Sequence, residues 1–186
     1  MTEIIGDSSL VETHPVAARI AQKLNALGIS PISLTASDGF LAPDIFVQAI
    51  GPLANDHSWL GGNPADWLEQ LESKWLNTLE LTRRTASQMR ERGRGQILHL
   101  VWRYENELQP LQTATTRGLA RLNEVLRIDL FATRVRVSFI EATLRNPPRN
   151  AELDDLANAA VWILQRPAHV NIQQLFLKPR HATAFP

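Results

Sequence analysis

NPADWLEQLESKWLNTLELTRRTASQMRERGRGQILHLV, residues 63–101, decides the fold class of this chain. Asn63 offers a side-chain oxygen to the first free amides of a helix, Pro64 suits the opening turn, and Asp66 sits at the positive end of the helix dipole. Leu68, Leu71, Trp75, Leu79, Thr82, Ala86 and Met89 then recur at spacings of three and four, which makes one face of a long helix largely apolar. Gly93 is the stop. Gly95 to Val101 (GQILHLV) follows at once and reads as a buried strand.

The same alternation runs outward in both directions. On the N-terminal side, Glu3–Gly6 is a short strand. Pro15–Leu27 is a helix with Val16, Ile20, Leu24 and Leu27 on one face, ended by Gly28. Ile29–Thr35 is a second strand, and Asp44–Ile50 is a buried strand closed by Gly51-Pro52. On the C-terminal side, a second long helix starts near Leu111 and carries Leu119, Leu122, Leu126 and Leu130 on one stripe. Arg134–Ile140 is a strand, Leu153, Leu156, Ala160, Val161 and Leu164 mark a last helix, and Val170–Leu177 is a last strand. Strands alternating with helices predict a mostly parallel sheet covered on both faces, in one α/β domain over residues 1–186 with an exposed tail after about 180. Its crossovers are expected to be right-handed.

Composition removes several classes of function. Hydrophobic residues make up 44% of the 186 and charged residues 20%, as in an ordinary soluble domain. Nineteen basic residues balance nineteen acidic ones, so no global charge draws the chain to nucleic acid or to an anionic membrane. Arg83, Arg84, Arg90, Arg92 and Arg94 cluster near a helix C-terminus, where cations complement the dipole. No cysteine is present, and the five histidines (14, 57, 99, 169, 181) show no ligand spacing, so no metal site is expected. No apolar run approaches the ~20 residues of a membrane span, and Met1–Ile5 lacks the features of a signal peptide. The expected compartment is the cytoplasm.

Several phrases together resemble the short-chain dehydrogenase/reductase family. Gly95–Leu100 is similar to that family's strand before its catalytic serine, and Met89–Gly93 to the end of the preceding helix. Val135–Glu141 is similar to the next strand, and Asp154–Ala160 with Arg166–Ile172 to the last helix and strand. The resemblance covers most of residues 1–35 and 44–180. It implies a trimmed Rossmann-like, doubly wound fold. Material is missing between Thr35 and Asp44 and around Arg145–Asn150, where adenosine-binding residues and a substrate loop of the family lie.

The family's site positions map onto departures. Its first turn reads Gly-x-x-x-Gly-x-Gly, and here only Gly6 is kept, with Leu10 and Glu12 at the other two glycines. Bulk and negative charge there oppose a pyrophosphate. The family's helix asparagine corresponds to Lys74, its serine to Trp102, and its Tyr-x-x-x-Lys pair to Thr113 and Arg117. A threonine is too weak an acid to replace a tuned phenol. The sole tyrosine, Tyr104, is followed four residues on by Leu108 rather than lysine. These departures imply a chain without catalysis or nicotinamide of its own, a pseudoenzyme.

The two long helices, 64–92 and 110–131, occupy positions that in this family pack against another subunit. Trp67, Leu71, Trp75, Leu79, Leu111, Leu119, Leu122 and Leu126 are the expected interface. The leading expectation is a hetero-oligomer in which an active short-chain dehydrogenase/reductase subunit holds NAD(P) and this chain supports or shapes it. Two other readings stand beside it. One is an enzyme that reuses the cleft without nicotinamide, with His99, Glu105, Glu107 or Lys74 as acid–base groups. The other is a protein that binds a small molecule or acyl group beside Trp102 and Thr113.

Overall fold

The computed structural model describes residues 2–5 (backbone only), 15–29, 42–53, 60–105 and 109–179. The elements run in order β1 (Thr2–Ile5), α1 (Pro15–Ala26), β2 (Ile45–Ile50), α2 (Pro64–Gln70), a π-helical segment (Leu71–Leu76), α3 (Asn77–Arg92), β3 (Arg94–Tyr104), α4 (Pro110–Asp129), β4 (Arg134–Leu144), α5 (Asn150–Leu164) and β5 (Gln174–Leu177). The strands form one sheet in the order β1-β2-β3-β4-β5, and every neighbouring pair is parallel. The strand expected over Ile29–Thr35 falls almost wholly outside the described residues.

Local chemistry sets the element ends where the sequence puts them. Asn63 Oδ1 accepts the Ala65 amide at 3.1 Å and opens α2. Gly93 closes α3 in the left-handed conformation, φ 71°, which a side chain resists. The Arg92 guanidinium, in the last turn of α3, donates to the carbonyls of Ala42 at 2.6 Å and Pro43 at 2.8 Å, so the end of α3 is tied to the chain entering β2.

Period-two alternation along the strands divides the core. Phe46, Ile97, Val101, Val137 and Phe139 point to the face covered by α3 and α4, against Leu81, Met89 and Leu119. Val47, Leu98, Leu100, Trp102, Ile140 and Ala142 point to the opposite face, covered by α1 and α5 through Val16, Ile20, Leu156 and Ala160.

This division corrects the expectation of uniform handedness. The connections through α3, α4 and α5 each step one strand in the same direction across a parallel sheet, yet α3 and α4 lie on one face and α5 on the other. They therefore cannot share a hand. With the first two in the usual right-handed sense, β4–α5–β5 is left-handed. The reason is burial. The α3/α4 face is already filled, whereas α1 leaves a flank that α5 completes, and Arg19 and Lys23 of α1 reach Asp154 of α5 at 3.5 and 3.7 Å.

Candidate functional site

A cleft of about 180 Å3 opens at the carboxyl ends of β3 and β4, under the first turns of α4. Its walls are Val101, Trp102 and Arg103 from β3, Glu141 and Ala142 from β4, and Thr113, Thr116 and Arg117 from α4. Parallel sheets present ligands at this end because the connecting loops there leave a crevice. Three of the four positions that the resemblance assigns to chemistry, Trp102, Thr113 and Arg117, thus border one cleft.

Their side chains behave differently. Trp102 is 1% exposed and belongs to the α1/α5 face of the sheet, so it seals the back of the site rather than facing α4. Its indole takes the space above Gly51, where an added Cβ would come within 2.7 Å of the ring. Thr113 is exposed and donates its hydroxyl to the Gln109 carbonyl at 2.7 Å. Arg117 is mostly exposed, and its guanidinium donates to Glu141 Oε2 at 3.3 Å, while the Glu141 side chain is only 12% exposed.

By strand parity, the β3 residues that face α4 at the cleft are Val101 and Arg103. Glu141 faces it from β4, on the same side as Val137 and Phe139. Arg103 and Glu141 are the site residues that sequence reasoning missed. Charged side chains at the ends of otherwise apolar strands were their signal, together with the alternation counted from Ile97.

The fourth position, Lys74, lies in the π-helical segment and borders a smaller cavity with Ile50, Leu53, Trp75, Gln112 and Thr115, not the Arg117 cleft. Gly6, Leu10, Glu12 and Glu107 lie outside the described residues. His99 is not a cleft residue: it is fully buried between the sheet and the α3/α4 layer, where Thr82 and Asn123 hold its two nitrogens at 2.8 and 3.0 Å.

The expected interface also divides. Leu119 and Leu111 are 1% and 6% exposed, Leu119 against Val101 and Phe139, so both are core residues of this chain. Trp67 stacks on Gly62, and Trp75 on Gly118 of α4, which leaves both rings half-buried within their own chain. Leu71, Leu79, Leu122 and Leu126 are half-buried. The apolar side chains that these helices do expose are Leu68, Leu76, Val125 and Ile128.

Among the described residues, no group of three His, Asp or Glu is arranged to hold a metal ion. No described helix is long and apolar enough to cross a membrane.

No protein-family model matches the chain. It is 26% identical to a protein named as a probable NADP-dependent dehydrogenase of Haemophilus influenzae, over 84% of this chain and 69% of that protein. Its structure is similar to that of serine dehydrogenase from Escherichia coli, with a TM-score of 0.76 at 19% identity, covering 95% of this chain and 96% of that one. It is also similar to a metagenomic short-chain oxidoreductase in complex with NADP, with a TM-score of 0.70 at 16% identity and 97% of each chain covered. The resemblance to short-chain dehydrogenases/reductases and the Rossmann-like α/β fold are borne out.

The pseudoenzyme expectation is corrected. The relatives of this chain are dehydrogenases by name, and serine dehydrogenase is also known in a closed form complexed with NADP+, with a TM-score of 0.70. The expectation that this chain holds no nicotinamide conflicts with the NADP in two of these structural relatives.

Proposed function

We propose that this chain takes part in NADP(H)-linked oxidation or reduction of a small hydroxy or oxo compound at the β3/β4 cleft, as a subunit assembled with a short-chain dehydrogenase/reductase of the same fold. The observation that carries this reading is the cleft itself. It gathers Thr113, Thr116, Arg117 and Glu141 at the carboxyl ends of two central parallel strands.

The described residues fit a dinucleotide at the level of framework. β1 lies parallel to β2 and is followed by α1, the arrangement that sets a pyrophosphate at a helix N-terminus. The loop joining β1 to α1, where Leu10 and Glu12 stand in place of two of the family's glycines and disfavour a close pyrophosphate, is outside the described residues. When bound, NADP+ supplies a hydride acceptor. Among the described residues that line the cleft there is no tyrosine or lysine, so proton transfer falls to a different group. Glu141 is the one carboxylate among the described residues that line it. Its carboxylate accepts the proton of a substrate hydroxyl, and Arg117 holds that carboxylate in place at 3.3 Å. Trp102 is buried on the opposite side of the strand layer, in the core under α1 and α5.

The test is NADP(H) binding and turnover by the purified chain, alone and in complex with a short-chain dehydrogenase encoded in the same genome. Binding with hydride transfer is expected, and Glu141→Gln is expected to lower kcat by about 10²–10⁴-fold, the range of a lost general base. Absence of nucleotide binding and turnover in both preparations, or an unchanged kcat in Glu141→Gln, overturns the reading.

A further inference from the structure

A groove of about 260 Å3 runs between α3 and α4, walled by Arg83, Ser87 and Arg90 on one side and by Leu126, Asp129 and Leu130 on the other. Positions 83, 87 and 90, and positions 126, 129 and 130, each fall on one strip of their helix. The groove reaches the carboxyl ends of both helices, which lead into the amino ends of β3 and β4. It shares no lining residue with the cleft at the carboxyl ends of those strands. It is smaller than the ~300–1,000 Å3 of pockets for drug-sized ligands, so its occupant is a small molecule.

The charges along the groove differ in what holds them. Arg83 is engaged by Glu80 through two hydrogen bonds of 2.9 Å. Arg90 and Asp129 are exposed on facing walls, and among the described residues no hydrogen bond or ion pair engages either, nor do they pair with each other. Asp129 is the last residue of α4, where free carbonyls already carry partial negative charge. A carboxylate there is in its least favourable place unless a cation joins it. Arg90 presents a planar fork of donors that matches a carboxylate, and Ser87 stands one turn before it with a hydroxyl to add. The floor between the two charges is apolar: Ala86 and Leu130 are buried and Leu126 is half-buried.

We infer that this groove binds a free α-amino acid with an apolar side chain, its carboxylate on Arg90 and Ser87, its ammonium on Asp129 and its side chain over Leu126 and Leu130. Both charges of the ligand are needed. A simple carboxylate meets the like charge of Asp129, and a simple amine meets the like charge of Arg90. The site stands apart from the β3/β4 cleft and does not depend on the chemistry proposed there.

An NMR titration of the 20.9 kDa chain without nucleotide tests it, with free L-leucine, isocaproate (the same skeleton without the ammonium) and isoamylamine (the same skeleton without the carboxylate) as probes. L-leucine is expected to shift the amide signals of Arg83–Arg90 and Leu126–Leu130. It is expected to bind at least about tenfold more tightly than either analogue, the scale of one hydrogen-bonded charge pair. Arg90→Met is expected to erase the preference over isoamylamine, and Asp129→Asn the preference over isocaproate, with thermal unfolding midpoints verifying that both variants fold. Shifts confined to Thr113–Arg117 place the amino acid in the β3/β4 cleft instead, and that result overturns the inference. So do the absence of shifts with every probe, analogues that bind as tightly as L-leucine, or variants that keep the parent's preferences.

Discussion

His99 shows how a single side chain sets a property of the whole chain. It is enclosed by Thr82, Asn123 and the ring of Phe46, all uncharged, with the rings of His99 and Phe46 nearly perpendicular and their centroids 6.2 Å apart. Asn123 Nδ2 donates to the Leu119 carbonyl at 2.8 Å, so its Oδ1 is the atom left to face the imidazole. The proton of neutral His99 is therefore on Nδ1, and Nε2 accepts from the Thr82 hydroxyl. Burial holds the pKa at about 4, below the ordinary 6.5, despite the Asn123 hydrogen bond that favours the charged form. Between those values the unfolded chain binds a proton that the folded chain refuses. The stability tied to His99 is thus fully present above pH 6.5 and declines as pH falls towards 4, by about 1.4 kcal/mol per pH unit and roughly 3 kcal/mol in all. Urea unfolding from pH 7.5 to 5 measures this slope. His99→Gln is expected to be less stable at pH 7.5 and flatter across the window; a variant as steep as the parent assigns the slope to other groups.

At the scale of elements, Arg136 is the clip that makes the left-handed crossover hold. Its guanidinium donates to the carbonyls of Arg166, Pro167 and Val170 at 2.7, 3.2 and 3.0 Å, and to Gln96 Oε1 at 2.7 Å. It thereby ties the end of α5 and the loop towards β5 to the sheet, where burial moves its pKa down from the ordinary value. Arg136→Met keeps the aliphatic stem and removes every donor. We expect a loss of about 2–4 kcal/mol, as for several hydrogen bonds to one charge, with hydrogen exchange accelerating first in β5 (Gln174–Leu177). Uniform acceleration across all five strands is the result that removes this role.

Elements were also what the sequence announced best. The Asn63 cap, the Gly93 stop and the strand after it depend on chemistry within a few residues, and each is found where expected. Two features were not legible, because they depend on partners distant in sequence. The π-helical segment turns the helical face, so Leu68 is exposed although it fits the stripe that Thr82, Ala86 and Met89 complete. The α5 connection takes the opposite hand because α1 needed cover, which no local pattern states. At the site, the family phrases located α4 and the ends of β3 and β4. The phrase that resembles the serine strand located Trp102 at the cleft, but not that its side chain turns to the α1/α5 face while its neighbour Arg103 is on the α4 side.

At the scale of the molecule, the question is what lies over the outer side of α2, α3 and α4. The sheet uses Leu81, Met89, Leu111 and Leu119. Leu68, Leu76, Val125 and Ile128 are 60%, 53%, 43% and 73% exposed on the same helices. Fully burying such a side chain stabilises by about 1.5–3 kcal/mol, so a few of them meeting a second subunit weigh heavily in an association. Because Leu76 and Ile128 are more than half exposed, replacing them with glutamate should change the stability of the isolated fold by no more than about 0.5 kcal/mol. The expected outcome of Leu76→Glu/Ile128→Glu is therefore an unchanged unfolding midpoint for the 20.9 kDa chain, together with loss of its association with a dehydrogenase subunit in light scattering after size exclusion. Association that survives both glutamates moves the interface off these helices, and an isolated chain that unfolds more readily shows that the leucines serve its own core.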